Sequence, residues 1–147
     1  MRRALPGLVL VLAAVVLAGC SGYSGSEAQR VAEWASGAQL STNDGYVVAD
    51  ISDISRGISA GNLGATHTAC DGLASDAATA YGELPTPVAS LTDDLAAAYL
   101  DDTRAAQDCT SAMSFSAIGF RRYRVTVARG TRAFDAAQRI LRRLGDG

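Results

Sequence analysis

The chain has 147 residues, and its thirteen arginines and fifteen acidic residues, with no lysine, give a formal net charge of −2 at pH 7. This length suits one domain with a hydrophobic core of its own. We expect no nucleic-acid partner, and a single histidine leaves little for a metal centre.

The start of the chain has the pattern of a bacterial lipoprotein signal peptide. Arg2 and Arg3 precede an uncharged apolar run, Leu8 to Leu17, which is shorter than the roughly 20 residues of a lasting transmembrane helix. The run closes on Leu17-Ala18-Gly19-Cys20, where small residues give a peptidase access to the backbone. We predict cleavage before Cys20 and lipidation of its thiol. Ordinary secretion and a retained signal anchor are the alternatives.

This signal predicts where the protein lies and how it is held. Residues 1–19 are removed, residues 20–26 form the lipidated cysteine and a Gly/Ser tether, and residues 27–147 form a helical-bundle domain. We expect the exported, mature protein on the extracytoplasmic face of the cell membrane. Diacylglycerol and a further acyl chain such as palmitate should hold it there, because two or more chains anchor more firmly than one. Its net charge is −4, from eleven arginines and fifteen acidic residues.

The first segment of the domain predicts a helix with a break. It runs from Glu27, with Ser26 as its N-cap, to about Ala60. Its apolar residues do not keep one helical phase, and Asn43-Asp44-Gly45 is a turn signal. We therefore expect a kink or break between Ser36 and Gly45.

Three further helices follow, each with apolar residues at helical spacing, and no segment alternates like a strand. The second runs from about Leu63 to Tyr81 and is ended by Leu84-Pro85-Thr86-Pro87. The third begins near Pro87 or Leu91, since Ser90-Leu91-Thr92-Asp93 resembles a capping box. The last runs to about Leu144. The residues expected to face inward are Cys70, Leu73, Ala77, Tyr81, Leu84, Leu91, Leu95, Tyr99, Ala106, Cys109, Met113, Phe120, Tyr123, Val127, Phe134, Leu141 and Leu144.

These elements predict an all-α fold, an antiparallel four-helix bundle whose first helix is kinked or broken. With Cys20 lipidated, Cys70 and Cys109 remain, and outside the cytoplasm two cysteines favour a disulfide. Free thiols and a metal site are the alternatives. The midpoint of the two cysteines lies near Ala89, so a disulfide requires the third helix to begin late or the linker Gly82 to Ser90 to be partly extended.

Several of these motifs together resemble a group of actinobacterial secreted lipoproteins. The shared pattern is the lipobox, an early Trp34-Ala35, a helix with Cys70, the Leu84-Pro85-Thr86-Pro87 link, and a helix that starts with Leu91-Thr92 and carries Cys109. The resemblance covers most of the mature domain and implies a disulfide-linked helical bundle. Its motifs are structural, so it implies no activity and no site residue.

Asp102 is the candidate for a functional polar group, because it falls in the middle of the apolar face of the third helix. A buried carboxylate must be paired, hydrogen-bonded or protonated. In antiparallel register Arg124, Tyr123 or Thr131 of the last helix is expected to satisfy it. The alternative is a ligand-binding carboxylate in a cavity of the bundle.

His67, the single histidine, lies at the edge of the apolar face of the second helix, beside Cys70. We interpret it as a boundary or surface residue, with a haem or metal ligand and a catalytic base as alternatives. Nucleophilic catalysis needs a base and an orienting group near the nucleophile, and no Gly-x-Ser-x-Gly motif is present. We therefore predict no catalytic residue, no metal and no cofactor.

Two charged surfaces are predicted. Asp94, Asp101 and Asp108 recur every seven residues and predict a solvated acidic face, on which Arg104 pairs with a neighbour. A straight helix spaces these carboxylates about 10 Å apart, too far for one calcium ion. From Gly119 onward, eight arginines and two acidic residues give +6. This helix either neutralises its bundle partners or faces anionic lipid headgroups or wall polymers.

The residues therefore favour a non-catalytic, lipid-anchored interaction protein of the cell envelope, whose partner is a protein or an anionic surface. The alternative is a small-ligand carrier or sensor with a pocket among the aromatic residues, Asp102 and His67. The aromatic residues that form either plain core or such a pocket are Trp34, Tyr46, Tyr81, Tyr99 and Tyr123.

Overall fold

A computed structural model describes residues 25–115 and 119–145, which form five helices and no strand. This confirms the all-α class and the helical bundle. The predicted signal peptide and Cys20 lie outside the described residues. Within them, no helix combines the length and the apolar character that crossing a membrane requires. The helices are α1 (Glu27–Gly37), α2 (Leu40–Ser59), α3 (Leu63–Gly82), α4 (Ala89–Thr110) and α5 (Arg121–Gly145).

The predicted first helix is broken between α1 and α2, inside the expected interval. The N-cap at Ser26 is part of a capping box, in which Ser26 Oγ accepts from Gln29 N (3.2 Å) and Gln29 Oε1 accepts from Ser26 N (2.8 Å). The break comes at Gln39, whose φ of 49° places it in the left-handed region. A helix cannot continue through that conformation.

The turn predicted at Asn43-Asp44-Gly45 is wrong, because these residues lie inside α2. Asn43 Nδ2 donates to the carbonyl oxygen of Ala38 (3.0 Å), which the break leaves without a helical partner. The asparagine that signals a turn in the sequence therefore stabilises the break one turn earlier.

A disulfide joins Cys70 of α3 to Cys109 of α4, with the two Cα atoms 6.0 Å apart. Helix α4 begins at Ala89, late as this pairing requires, and residues 83–88 before it are non-helical. The capping box expected at Ser90 is wrong. The N-cap is Val88, which makes no side-chain cap bond, and Thr86 satisfies the Val88 N–H instead (3.1 Å).

The core has two parts, one around the disulfide and one around Trp34, whose Nε1 donates to Glu83 O (3.1 Å) and so ties α1 to the linker after α3. Two residues predicted to face inward do not. Tyr81 is 43% exposed in the last turn of α3, and Met113 is 84% exposed beyond the end of α4. The largest fully buried side chains are Tyr99, Phe120, Ile54, Leu73, Leu91 and Leu95.

The long helices pack in chain order, α2 on α3, α3 on α4 and α4 on α5. No Cα atom of α2 comes within 8 Å of a Cα atom of α5, although α1 contacts both helices. Side chains of α2 and α5 instead line a groove between the two helices, and Tyr99 and Asp102 of α4 lie at its base. We call this groove the α2–α5 cleft, and α4 forms its floor.

The double substitution C70A/C109A should lower the free energy of unfolding by about 3–4 kcal/mol, because the bond closes a long loop of the unfolded chain. The loop spans a sequence separation of 39 residues. Urea unfolding of the oxidised wild type and of the double variant measures the difference. Reduced wild type is the matched control, since it loses the bond and keeps the sulfur atoms. Equal midpoints for all three proteins would contradict this expectation.

Candidate functional site

A cavity of about 90 Å³ lies at the base of the α2–α5 cleft. A wider groove of about 700 Å³ adjoins it and shares Asp44, Val48 and Phe134 with it. The cavity therefore continues into the groove rather than being a separate void. The side chains that line the cavity come from α2, α4 and α5, and they are Asp44, Val47, Val48, Ile51, Tyr99, Asp102, Thr131 and Phe134.

Helical spacing explains why these side chains face the same cavity. Asp44, Val47, Val48 and Ile51 are separated by three, four and seven positions along α2, so they share one face. Tyr99 and Asp102 are three positions apart on α4 and share a face in the same way. The cleft is thus lined mainly by apolar side chains, with two carboxyl groups and a phenol among them.

Gly130 permits the close contact between α5 and α4 at this site. A Cβ atom at Gly130 would lie 2.7 Å from Asp102 Oδ1 and 3.3 Å from Ala98 O. Any larger residue there would have to displace the carboxyl group or the helix. Glycine at this position therefore permits α5 to pack directly on the Asp102 side chain.

Asp44 and Tyr99 form a buried hydrogen bond across the cleft floor. The Tyr99 hydroxyl donates to Asp44 Oδ1 at 2.7 Å. Burial raises the pKa of Asp44, and the bond from Tyr99 partly offsets that rise. Burial and the nearby Asp44 also raise the pKa of Tyr99, so the phenol keeps its proton and remains the donor. The pair fixes the orientation of Asp44 beside the cavity.

Asp102 is buried, and no described residue pairs with its side chain. It is 6% exposed, and its Oδ1 atom makes no hydrogen bond to any described residue. Burial raises the pKa of Asp102 from 3.8 to about 7, with smaller contributions from the charges of Asp101 and Asp44. Near neutral pH this carboxyl group therefore exists in both protonation states.

None of the three partners expected for Asp102 satisfies it. Arg124 is exposed and forms no ion pair with a described residue, and the buried Tyr123 hydroxyl has no hydrogen-bond partner among them. Thr131 Oγ1 donates to Val127 O (3.0 Å). The reason is the helix register. Gly130 packs against Asp102, and Arg124 lies six positions earlier, about 9 Å away along the helix axis.

The solvated acidic face predicted on the third helix is wrong at Asp101, which is only 6% exposed. Arg129 Nε donates to Asp101 Oδ2 at 2.6 Å, and Arg104 Nη1 donates to Asp101 Oδ1 at 3.3 Å. Asp108 Oδ2 accepts from Thr126 Oγ1 at 3.2 Å. Because α5 packs over this flank, Asp101 and Asp108 belong to the α4–α5 interface. Arg104 and Arg129, the two arginines near the cleft, both bind Asp101.

The basic last helix, α5, neutralises a carboxylate of a neighbouring helix at one position, where Arg129 pairs with Asp101 of α4. Among the described residues, Arg129 is the only arginine of α5 in an ion pair. The others are exposed, and the surface that they form is called the α5 basic face here. Its arginines are Arg121, Arg122, Arg124, Arg132, Arg139, Arg142 and Arg143.

His67 and most of the aromatic candidates lie outside the cavity. His67 Nε2 donates to Ala112 O at 2.9 Å, a contact between α3 and the end of α4. Trp34 and Tyr123 are in the core, and Tyr46 and Tyr81 are exposed, so Tyr99 is the candidate that lines the cavity. In the described part of the chain no three histidine, cysteine or acidic side chains cluster as metal ligands.

Comparison with protein-family models, with curated proteins and with solved structures found no match to this chain. The resemblance to actinobacterial secreted lipoproteins therefore stays a prediction.

Replacing Asp102 by asparagine should remove part of the pH dependence of stability. Because the folded-state pKa is raised from 3.8 to about 7, the folded protein holds this proton more tightly than the unfolded chain. The resulting stability is present below pH 4 and is lost as the pH rises through 7, by about 4 kcal/mol at most. D102N should therefore have a flatter profile in urea unfolding between pH 4 and pH 8.

The exposed Asp93 on the same helix supplies the matched control, since D93N removes a carboxyl group that is not buried. D93N should keep the wild-type profile. A D102N profile as steep as that of the wild type would show that Asp102 does not titrate in this range.

Gly130→Ala should lower the free energy of unfolding by about 1–3 kcal/mol, because the added methyl group overpacks the contact with Asp102 and Ala98. Gly45→Ala is the matched control, since Gly45 is also inside a helix and a Cβ atom there meets nothing within 4 Å. That variant should gain up to about 1 kcal/mol from helix propensity. Thermal or urea unfolding compares the two. A stabilising effect of both substitutions would contradict the close contact.

Proposed function

We propose that the protein is a lipid-anchored, non-enzymatic interaction protein of the cell envelope, held on the extracytoplasmic face of the membrane through Cys20. The observation that carries this proposal is the Cys70–Cys109 disulfide in the helical bundle. Disulfides persist in oxidising compartments, and the sequence Leu17-Ala18-Gly19-Cys20 at the end of an apolar leader supplies a route to one. The resemblance to actinobacterial secreted lipoproteins is in keeping with both features.

The proposed architecture is an antiparallel four-helix bundle in which α1 and α2 together take the place of the first helix. Short links support it, because residues 60–62 join α2 to α3 and residues 83–88 join α3 to α4. Links of this length reverse the chain direction between packed neighbours. In this arrangement the first helix of the bundle follows directly on the tether.

The α5 basic face supports an anionic surface as one partner. Its seven exposed arginines form no ion pair with described residues, and the tether is short enough to keep the domain near lipid headgroups. Juxtamembrane basic side chains are attracted to anionic lipids. A protein of the cell envelope is the other partner that we propose for this domain.

A second candidate function is a small-ligand carrier or sensor. The cavity at the base of the α2–α5 cleft favours it, because the buried carboxyl group of Asp102, which no described residue pairs with, lines the cavity. Buried polar groups are rarely left unsatisfied unless a role or a bound molecule accounts for them.

Cys20→Ser should abolish membrane anchoring of the full chain, because a hydroxyl group at that position cannot take the thioether-linked lipid. Intact mass of the membrane-extracted wild type should show loss of residues 1–19 and the addition of acyl chains. The purified variant should no longer partition with lipid vesicles. Ser21→Ala, which keeps the thiol, is the matched control and should behave as the wild type. A wild-type protein without added lipid would overturn the proposal.

A further inference from the structure

We propose that the α2–α5 cleft binds a small organic cation, a primary alkylammonium compound whose charged end lies between Asp102 and Asp44 and whose apolar part lies along the groove. This inference rests on the second candidate function, the small-ligand carrier, and names the chemical class of its ligand. It is independent of how the protein is anchored.

The carboxyl groups at the cleft floor determine which ligand charge the cleft favours. Asp102 and Asp44 both line the cavity and both are buried. The nearby arginines, Arg129 and Arg104, are bound to Asp101, and no basic side chain of the described residues lines the cavity. Two carboxyl groups without a cation disfavour an anionic ligand and favour a positively charged one.

The unpartnered oxygen determines what the ligand must offer. Asp102 Oδ1 is inaccessible to solvent and lies against Gly130, so a ligand in the cavity has to bind the Oδ2 atom, which accepts no hydrogen bond from described residues. Asp44 Oδ1 already accepts from Tyr99. An ammonium group carries three N–H donors and no acceptor. It can therefore satisfy Asp102 and still donate to a second oxygen in the cleft. Charge-assisted hydrogen bonds of this kind are the strong ones.

The size and lining of the cavity determine the rest of the ligand. At about 90 Å³ it is smaller than an engineered cavity of about 150 Å³ that holds benzene, so it accepts an ammonium group with a few carbon atoms. Val47, Ile51 and Phe134 line it, and Leu40 and Leu141 continue the apolar lining in the groove. A phenyl ring beside the site also favours a cation.

The pH dependence of binding follows from the groups that face Asp102. These are Asp44 from α2, Tyr99 and Asp101 from α4, and Tyr123 from α5, whose pKa is raised to about 12 by burial and by Asp102. Arg129 is held by Asp101. Tyr99 and Tyr123 stay protonated below pH 9, so ionisation of the buried carboxyl groups controls binding. An alkylammonium ligand should therefore bind more tightly at pH 8 than at pH 5.

The test is calorimetric titration of the full chain in detergent with n-butylamine, which is cationic across this pH range, and with 1-butanol, its neutral counterpart. The wild type should bind n-butylamine, and should bind it more tightly at pH 8 than at pH 5. D102N should bind it at least about tenfold more weakly, the loss expected for one charge-assisted hydrogen bond. D93N is the matched control and should bind as the wild type does.

The outcomes separate the ligand class from the carrier function. Binding of 1-butanol as tight as that of n-butylamine, with no effect of D102N, would overturn the cation and leave a small-ligand pocket standing. No binding of either compound by the folded wild type would overturn both. Should D102N fail to fold, the pH dependence in the wild type decides, because equal affinity at pH 5 and pH 8 would overturn the proposal.

Discussion

The close contact of α5 with α4 at Gly130 is the constraint on which the rest of the site depends. Because no Cβ atom stands between the helices, α5 comes near enough to bury both Asp101 and Asp102. The same approach brings Arg129 onto Asp101. Side chains of α2 lie across the cleft from those of α5, and α4 forms the base of the cleft.

The adjacent residues Asp101 and Asp102 have opposite surroundings, because one is paired with arginines and the other is not. Asp101 is bound by Arg129 across the α4–α5 interface and by Arg104 of its own helix, and a paired carboxylate of this kind belongs to the structure of the bundle. Asp102 packs against Gly130 of α5 and also lines the cavity, and burial, Asp101 and Asp44 all disfavour its ionised form. Such a group costs stability when ionised. Because Asp102 lies at the floor of the cleft, a bound cation would offset this cost.

Much of the fold follows from local patterns, whereas the site depends on tertiary contacts. Helical spacing predicts the long helices, and two cysteines downstream of a predicted export signal predict the disulfide. The position of Asp44 escapes prediction because Asn43 caps Ala38 across the break, so an apparent turn is helix and its aspartate enters the cleft. Asp94, Asp101 and Asp108, spaced seven residues apart, indicate a solvated flank, and only the packing of α5 shows that Asp101 is buried.

The most direct test of this account is an NMR titration of the Asp102 side-chain carboxyl carbon in the full chain. The resonance is assigned by its loss in D102N. Desolvation by α5, together with the charges of Asp101 and Asp44, predicts a midpoint of about 7. A midpoint near 4, the value of a solvated aspartate, would show that Asp102 is hydrated or paired, and would contradict the unpartnered carboxyl group at the base of the cleft.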